Sequence, residues 1–328
     1  MVSFGKRYGT HFEVMTNPTY RYSNIRQRPP LRWPNGARVA LWVVPNIEHY
    51  EYIPEDPGER DPWPRSPHPD ILGYSQRDYG NRVGVWRLFD VIDELKIKCS
   101  ASLNLGVFQR FPEIMEACEQ RNWDVICHGV YNSRPVWGYS KEREKELIED
   151  CVSMSKRLTG RSFRGWFAPM VSYTPNTVDL LIDVGIEYFC DWVFDDQPFP
   201  VRGKNGEIFS MPYQLDANDG MFFNRMFPHA SGDDFARLLR DYFDRLYKEG
   251  AEQGRVACIA LHPYIVGNPQ YIEAVKDALS YMMGHQGVWN ATGAEILDWW
   301  RINYLPQLRA HLDAADARQS RGLLGSRG

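Results

Sequence analysis

The sequence predicts an α/β chain folded as a distorted (β/α) barrel of about seven strands, and three observations carry that prediction. Short apolar runs alternate with stretches whose apolar residues recur every three or four positions, in units short enough for strand–helix crossovers to a parallel sheet. Three of the apolar runs end on an ionisable side chain: 39–44 leads through Asn46 to Glu48 and His49, 125–127 ends on His128, and 256–261 ends on His262. No GxGxxG or GxxxxGK[ST] follows any strand, which argues against an open nucleotide-binding sheet.

Taken in order, residues 1–35 read as a polar, proline-bearing arm of the kind that wraps a neighbouring domain or subunit, with Trp33-Pro-Asn-Gly36 turning into the first strand. The stretch 51–79 carries prolines at 54, 57, 62, 64, 67 and 69. It leaves the same strand end as Glu48 and is expected to form a loop over the site. Val85, Leu88, Phe89, Ile92 and Leu95 then keep helical spacing. A strand over 100–105, a short helix over 112–119 and the His128 strand follow. Leu147, Ile148, Cys151, Val152 and Leu158 share one face of a helix that starts near Ser140 and stops at Gly160. Next come a strand over 164–168, a helix opened by Thr174-Pro175, and a strand over 186–191. A run over 208–212, the Asp216-Ala-Asn-Asp219 turn and a helix over 233–248 lead to the His262 strand. A helix over 270–283, a short strand near Val288 and a helix to Trp300 complete the barrel domain, expected over 36–304. The Ala-, Arg- and Gly-rich remainder, 305–328, is expected to be mobile.

Composition sets bounds on function. With 328 residues, 43% hydrophobic, the chain is long enough for one large α/β core or two smaller ones. The near balance of 38 basic and 42 acidic residues gives no electrostatic footprint for nucleic acid or a membrane surface. No apolar run is long enough to span a bilayer and the first residues lack a signal-like apolar stretch, so a cytoplasmic location is expected. The six cysteines, at 99, 118, 127, 151, 190 and 258, include no CxxC pair and read as buried thiols.

If the three strands are parallel members of one barrel, Glu48, His128 and His262 converge at its carboxyl-terminal mouth. A carboxylate beside two imidazoles can activate water and protonate a leaving nitrogen. The same trio could hold one divalent ion with an open position. Each has a plainer reading: a surface carboxylate, a strand-end histidine bonded to a carbonyl, a turn residue before Pro263. His49 neighbours Glu48 but points to the opposite side if the strand continues. Asp195 and Asp196, beyond a strand end in an aromatic loop, could orient a histidine or bind substrate N–H groups, or simply be solvated. Arg164 could hold a carboxylate.

In order along the chain, Tyr79-Gly-Asn-Arg-Val-Gly-Val-Trp-Arg-Leu88, His128-Gly-Val-Tyr-Asn132, Arg164-Gly-Trp-Phe-Ala-Pro169, Asp191 to Pro198 and Leu261-His-Pro-Tyr-Ile-Val-Gly-Asn-Pro269 resemble the polysaccharide deacetylase superfamily. The branch it is most similar to is the metal-independent allantoinase type, and the likeness runs from about Gly36 to Trp300. The resemblance implies a distorted barrel and, commonly in this branch, a homo-oligomer. It implies Glu48 as general base or metal carboxylate, His128 polarising the carbonyl or orienting water, and His262 as general acid. Trp166, Trp192, Asp195 and Asp196 would line the pocket with Arg164 and Asn132. Metal-dependent members carry a His-x-x-x-His pair; His128 matches its first member, and Asn132 stands where the second belongs. An amide oxygen is a poor zinc ligand. The expected cofactor is therefore none, or one zinc-like divalent ion on Glu48, His49 and His128.

These readings lead to a hydrolase of non-peptide C–N bonds acting on a small amide, ureide or cyclic imide. The alternatives are a metal-dependent N-deacetylase of acetylated sugars or polysaccharide, and a catalytically silent carbohydrate-binding protein.

Overall fold

Strand alternation divides the core into two layers. Along β1 (Val39–Ile47), buried throughout, Val39, Leu41, Val43 and Ile47 face outward into a shell of helices, while Ala40, Trp42 and Val44 face the interior of a curled sheet. The computed structural model describes residues 19–54, 69–223 and 230–325. Within them the strands are β1, β2 (Ser100–Leu103), β3 (Asp124–Cys127), β4 (Gly165–Trp166), β5 (Tyr188–Phe189), β6 (Phe199–Gly203), β7 (Gly206–Ser210), β8 (Arg255–Leu261) and β9 (Val288–Asn290). The parallel strands run β7-β5-β4-β3-β2-β1-β8, which is the barrel expected from the sequence. β6 pairs antiparallel with β7, and β9 lies beside the start of β1.

The barrel is distorted where β8 meets the β6–β7 side. There the closure consists of single backbone bonds, Val256 N–H to Asp196 O and Ala260 N–H to Ala217 O, each 3.0 Å. The amino-terminal end is plugged by a polar layer. Trp42 and Gly293 N–H donate to Ser100 Oγ, and Tyr188 and Ala294 N–H donate to Asp124 Oδ2. Gly293–Asn303 is a helix opened by a Thr292–Glu295 capping box, and of its first two N–H groups Gly293's reaches Ser100 Oγ and Ala294's the Asp124 carboxylate. Burial raises the pKa of Asp124 in spite of these donors.

One outer helix positions the site from behind. Ile71–Tyr79 and Val85–Glu94 are joined through a π-helical turn, Gly80–Gly84. A Cβ on Gly84 would lie 2.1 Å from Pro263 O, so glycine is what lets this helix press against the turn after β8. From the same turn Asn81 Nδ2 donates to Glu48 O at 2.8 Å, tying the end of β1 to the end of β8. The Ile71–Tyr79 helix replaces part of the irregular loop expected over 51–79; residues 55–68 of that loop lie outside the described residues.

The described parts of both chain ends pack against the barrel. The tail forms a helix, Leu305–Gly325, because Leu305, Leu308 and Leu312 recur at helical spacing and are buried on the barrel. The arm, described from residue 19, packs on its own barrel. Thr19 O accepts from Arg202 N–H beside β6, and Arg21 pairs with Asp313 and Asp316 of the tail helix. Arg28 makes a two-pronged bond with Asp195 (2.6 and 2.9 Å), and both side chains are less than a tenth exposed. Arg28→Ala leaves that carboxylate buried without its cation. A loss of about 3–5 kcal/mol of unfolding free energy in denaturant titrations is expected.

Candidate active site

Inward alternation continues past the ends of three strands, and this assembles the site. Glu48 follows β1, His128 follows β3 and His262 follows β8; their exposures are 5%, 2% and 8%. Glu48 Oε1 lies 3.5 Å from His128 Nε2 and 3.4 Å from His262 Nε2. One carboxylate oxygen thus faces both imidazoles at the carboxyl-terminal mouth. The other, Oε2, accepts a 2.6 Å bond from the Tyr50 hydroxyl, which itself accepts from Asn132 Nδ2 at 2.6 Å.

Each imidazole is held from behind. His128 Nδ1 is 2.6 Å from Phe167 O, so it donates there and only Nε2 is turned to Glu48. His262 Nδ1 is 2.6 Å from Asp219 Oδ1, and Asp219 Oδ2 accepts from the His262 backbone N–H at 2.8 Å. Asp219 is fully buried in the short turn Asp219–Met221, whose first residue is preceded by the capping Asn218. Gly220 N–H also donates to Asp219 Oδ1, at 2.8 Å.

Electrostatics follow from this chain of contacts. Burial disfavours charge on His262, but Asp219 and Glu48 outweigh it and raise the pKa to about 10. Burial works against ionised Glu48 as well, yet His262 and His128 hold it well below the ordinary glutamate value. Burial, with Glu48 adding to it, pushes the Tyr50 phenol up. At neutral pH the resting site is therefore a carboxylate beside an imidazolium.

Not every residue singled out in the sequence comes to this place. Asn132 does, through Tyr50. Arg164 precedes β4 and sits at the opposite end of the barrel, bonded to Glu187 (2.7 Å) and Asp298 (2.5 Å). Asp195 is taken by Arg28, and Asp196 lies 3.4 Å from Arg255 at the start of β8, again at the far end. Trp166 points outward into the helix-facing core. Trp192 packs on Tyr20, Phe189 and Tyr173. The expected substrate contacts of Arg164, Asp195, Asp196 and Trp166 are therefore corrected: strand direction sends Arg164, Asp195 and Asp196 to the base, and strand alternation turns Trp166 away.

The metal set expected from the sequence does not converge either. His49 lies on the outer face of β1's extension, its ring among Tyr74, Phe111 and Tyr131, and burial lowers its pKa. Among the described residues no group of three His, Cys, Asp or Glu side chains is arranged to hold a metal ion. Glu48, His49 and His128 do not fit one.

Two residues of the site went unassigned in the sequence. Tyr50 is two positions past Glu48, and in extended chain such residues share a side, a signal that was available. Asp219 lay in a polar turn that carries no strand or helix periodicity, so nothing in the sequence marked it.

The geometry agrees with what known proteins resemble this one. Residues 74–189 match the polysaccharide deacetylase family. A Schizosaccharomyces pombe protein assigned as a polysaccharide deacetylase is 25% identical over 299 residues, covering 83% of this chain and 93% of the relative. A Helicobacter pylori peptidoglycan deacetylase is 23% identical over 250 residues, covering 67% and 84% respectively. Among solved structures, Puue allantoinase superposes with a TM-score of 0.75 at 28% identity, over 84% of this chain and 95% of its own. Family match over 74–189, relatives and fold agree: the chain is similar to polysaccharide deacetylases and to an allantoinase, and these likenesses support a carbon–nitrogen hydrolase.

Proposed function

We propose that the protein hydrolyses an amide, ureide or cyclic imide bond of a small molecule, using acid/base groups of its own chain. The observation that carries this reading is the placement of Glu48 Oε1 3.4–3.5 Å from both imidazole Nε2 atoms, with Asp219 behind His262. The near-complete burial of the three side chains supports a small substrate over a polymer lying across the mouth. The likeness to an allantoinase supports a ureide.

In this mechanism water bound at Glu48 attacks the carbonyl carbon and Glu48 takes its proton. His128 Nε2, fixed by the Phe167 carbonyl, orients that water. As the C–N bond breaks, the electron pair leaves on nitrogen and His262 Nε2–H supplies its proton. Transfer of the proton held by Glu48 to His262, across 3.4 Å, restores the starting pair.

The test is turnover on a panel of ureides, hydantoins, cyclic imides and N-acetylated sugars, with protein dialysed against a chelator and protein supplied with zinc. Ring opening or ureide cleavage by the chelated protein supports the proposal. Acetate release from acetylated sugars alone, and only with zinc, would replace it with the deacetylase reading that the peptidoglycan deacetylase relative favours.

A further inference from the structure

We propose that Tyr50 is a catalytic residue whose hydroxyl, oriented by the Asn132 amide, donates to the substrate carbonyl oxygen as charge develops there; this rests on the hydrolase reading above. The two oxygens of Glu48 face different partners. Oε1 looks toward the imidazoles, so the nitrogen that leaves belongs on the His262 side. Oε2 looks toward Tyr50, which leaves that side for the carbonyl oxygen.

Tyr50 is built for donation. Its oxygen accepts from Asn132 Nδ2 at 2.6 Å, and its proton is directed at Glu48 Oε2, on the side of the site. Asn132 is in turn anchored by its own backbone N–H on His49 O at 2.9 Å. The Arg77 guanidinium lies 4.3 Å from the centre of the Tyr50 ring, and Tyr264 meets that ring edge-on at 6.5 Å. A cation over the ring face draws electron density from the phenol and strengthens it as a donor. In the resting site the hydroxyl bonds Glu48. When Glu48 takes the proton of the attacking water it becomes a poorer acceptor, and the former carbonyl oxygen carries the charge instead. The O–H then turns from Glu48 to that oxygen. Tyr50 keeps its proton throughout, so no bond is made or broken at the phenol.

The variant that isolates this role is Tyr50→Phe, which keeps the ring against Arg77 and Tyr264 and removes one oxygen. With a substrate turned over by the wild type, kcat should fall about 10²-fold, the scale of one lost oxyanion donor, with KM within about threefold. The thermal unfolding midpoint, measured alongside, should stay within about 4 °C of the wild type. A kcat within threefold of wild type, or a loss confined to KM, would overturn the assignment while leaving the hydrolase reading intact. Absence of turnover by the wild type on the whole panel would remove both.

Discussion

Glu48→Gln should lower kcat by at least about 10²-fold and as much as 10⁴-fold, the range for a positioned acid/base group. The substitution preserves length and shape, so substrate binding and KM should change little. An amide cannot take up the water proton, and the chemical step alone should suffer. A secondary effect follows from charge. The imidazolium of His262 is sustained by Glu48 as well as by Asp219, so its pKa should move down in the variant. Steady-state kinetics across pH would show both: a collapsed plateau and a basic limb displaced toward neutrality. Wild-type turnover in Glu48→Gln would remove this carboxylate from the mechanism.

Asp219→Asn is the second large effect. The carboxylate makes two bonds to His262, one to the ring and one to the backbone, and it is itself fully buried. An asparagine in its place can offer its NH2 to Nδ1, which favours the wrong tautomer, and it withdraws the charge that offsets burial of the imidazolium. A loss of about 10²–10⁴ in kcat is expected, as for other carboxylates that orient a catalytic histidine. The basic limb of the pH profile should again move down. An unchanged pH profile accompanied only by a lower melting temperature would show Asp219 to be a structural residue.

How much of this was legible in the sequence depends on what each residue's signal was. The strands carrying Glu48, His128 and His262 announced themselves because a buried parallel strand is a continuous apolar run, and the polar residue ending it marks the mouth. Helices such as Val85–Glu94 were visible in their spacing. The base of the barrel was not, because a motif says which residues recur but not which end of a strand they occupy. Arg164 and the Asp195–Asp196 pair look like site residues by composition. Arg164 opens a strand, and the chain after β5 runs back down to Val256 at the start of β8. Asp219 needed the third dimension, since its value comes from meeting His262 across the fold. The Leu305–Gly325 helix was obscured by Ala, Arg and Gly around three well-spaced leucines.

The paired charges also couple the site to stability. His262 has a folded pKa of about 10, above its ordinary value near 6.5. The stability it contributes is full below that ordinary value and is lost as pH rises through about 10. Glu48 has a depressed pKa, so its contribution is present above the ordinary glutamate value and is lost as pH falls below it. The protein should therefore be most resistant to unfolding between those limits, where the carboxylate and imidazolium are both charged.

The central claim is that Glu48 and Asp219 keep His262 protonated as the acid of the reaction. Nitrogen NMR of the His262 ring in the intact protein, followed against pH, reads this directly. The account expects both ring nitrogens to stay protonated through pH 8 and to titrate near 10. A midpoint near 6.5, with a neutral ring at pH 8, would contradict it.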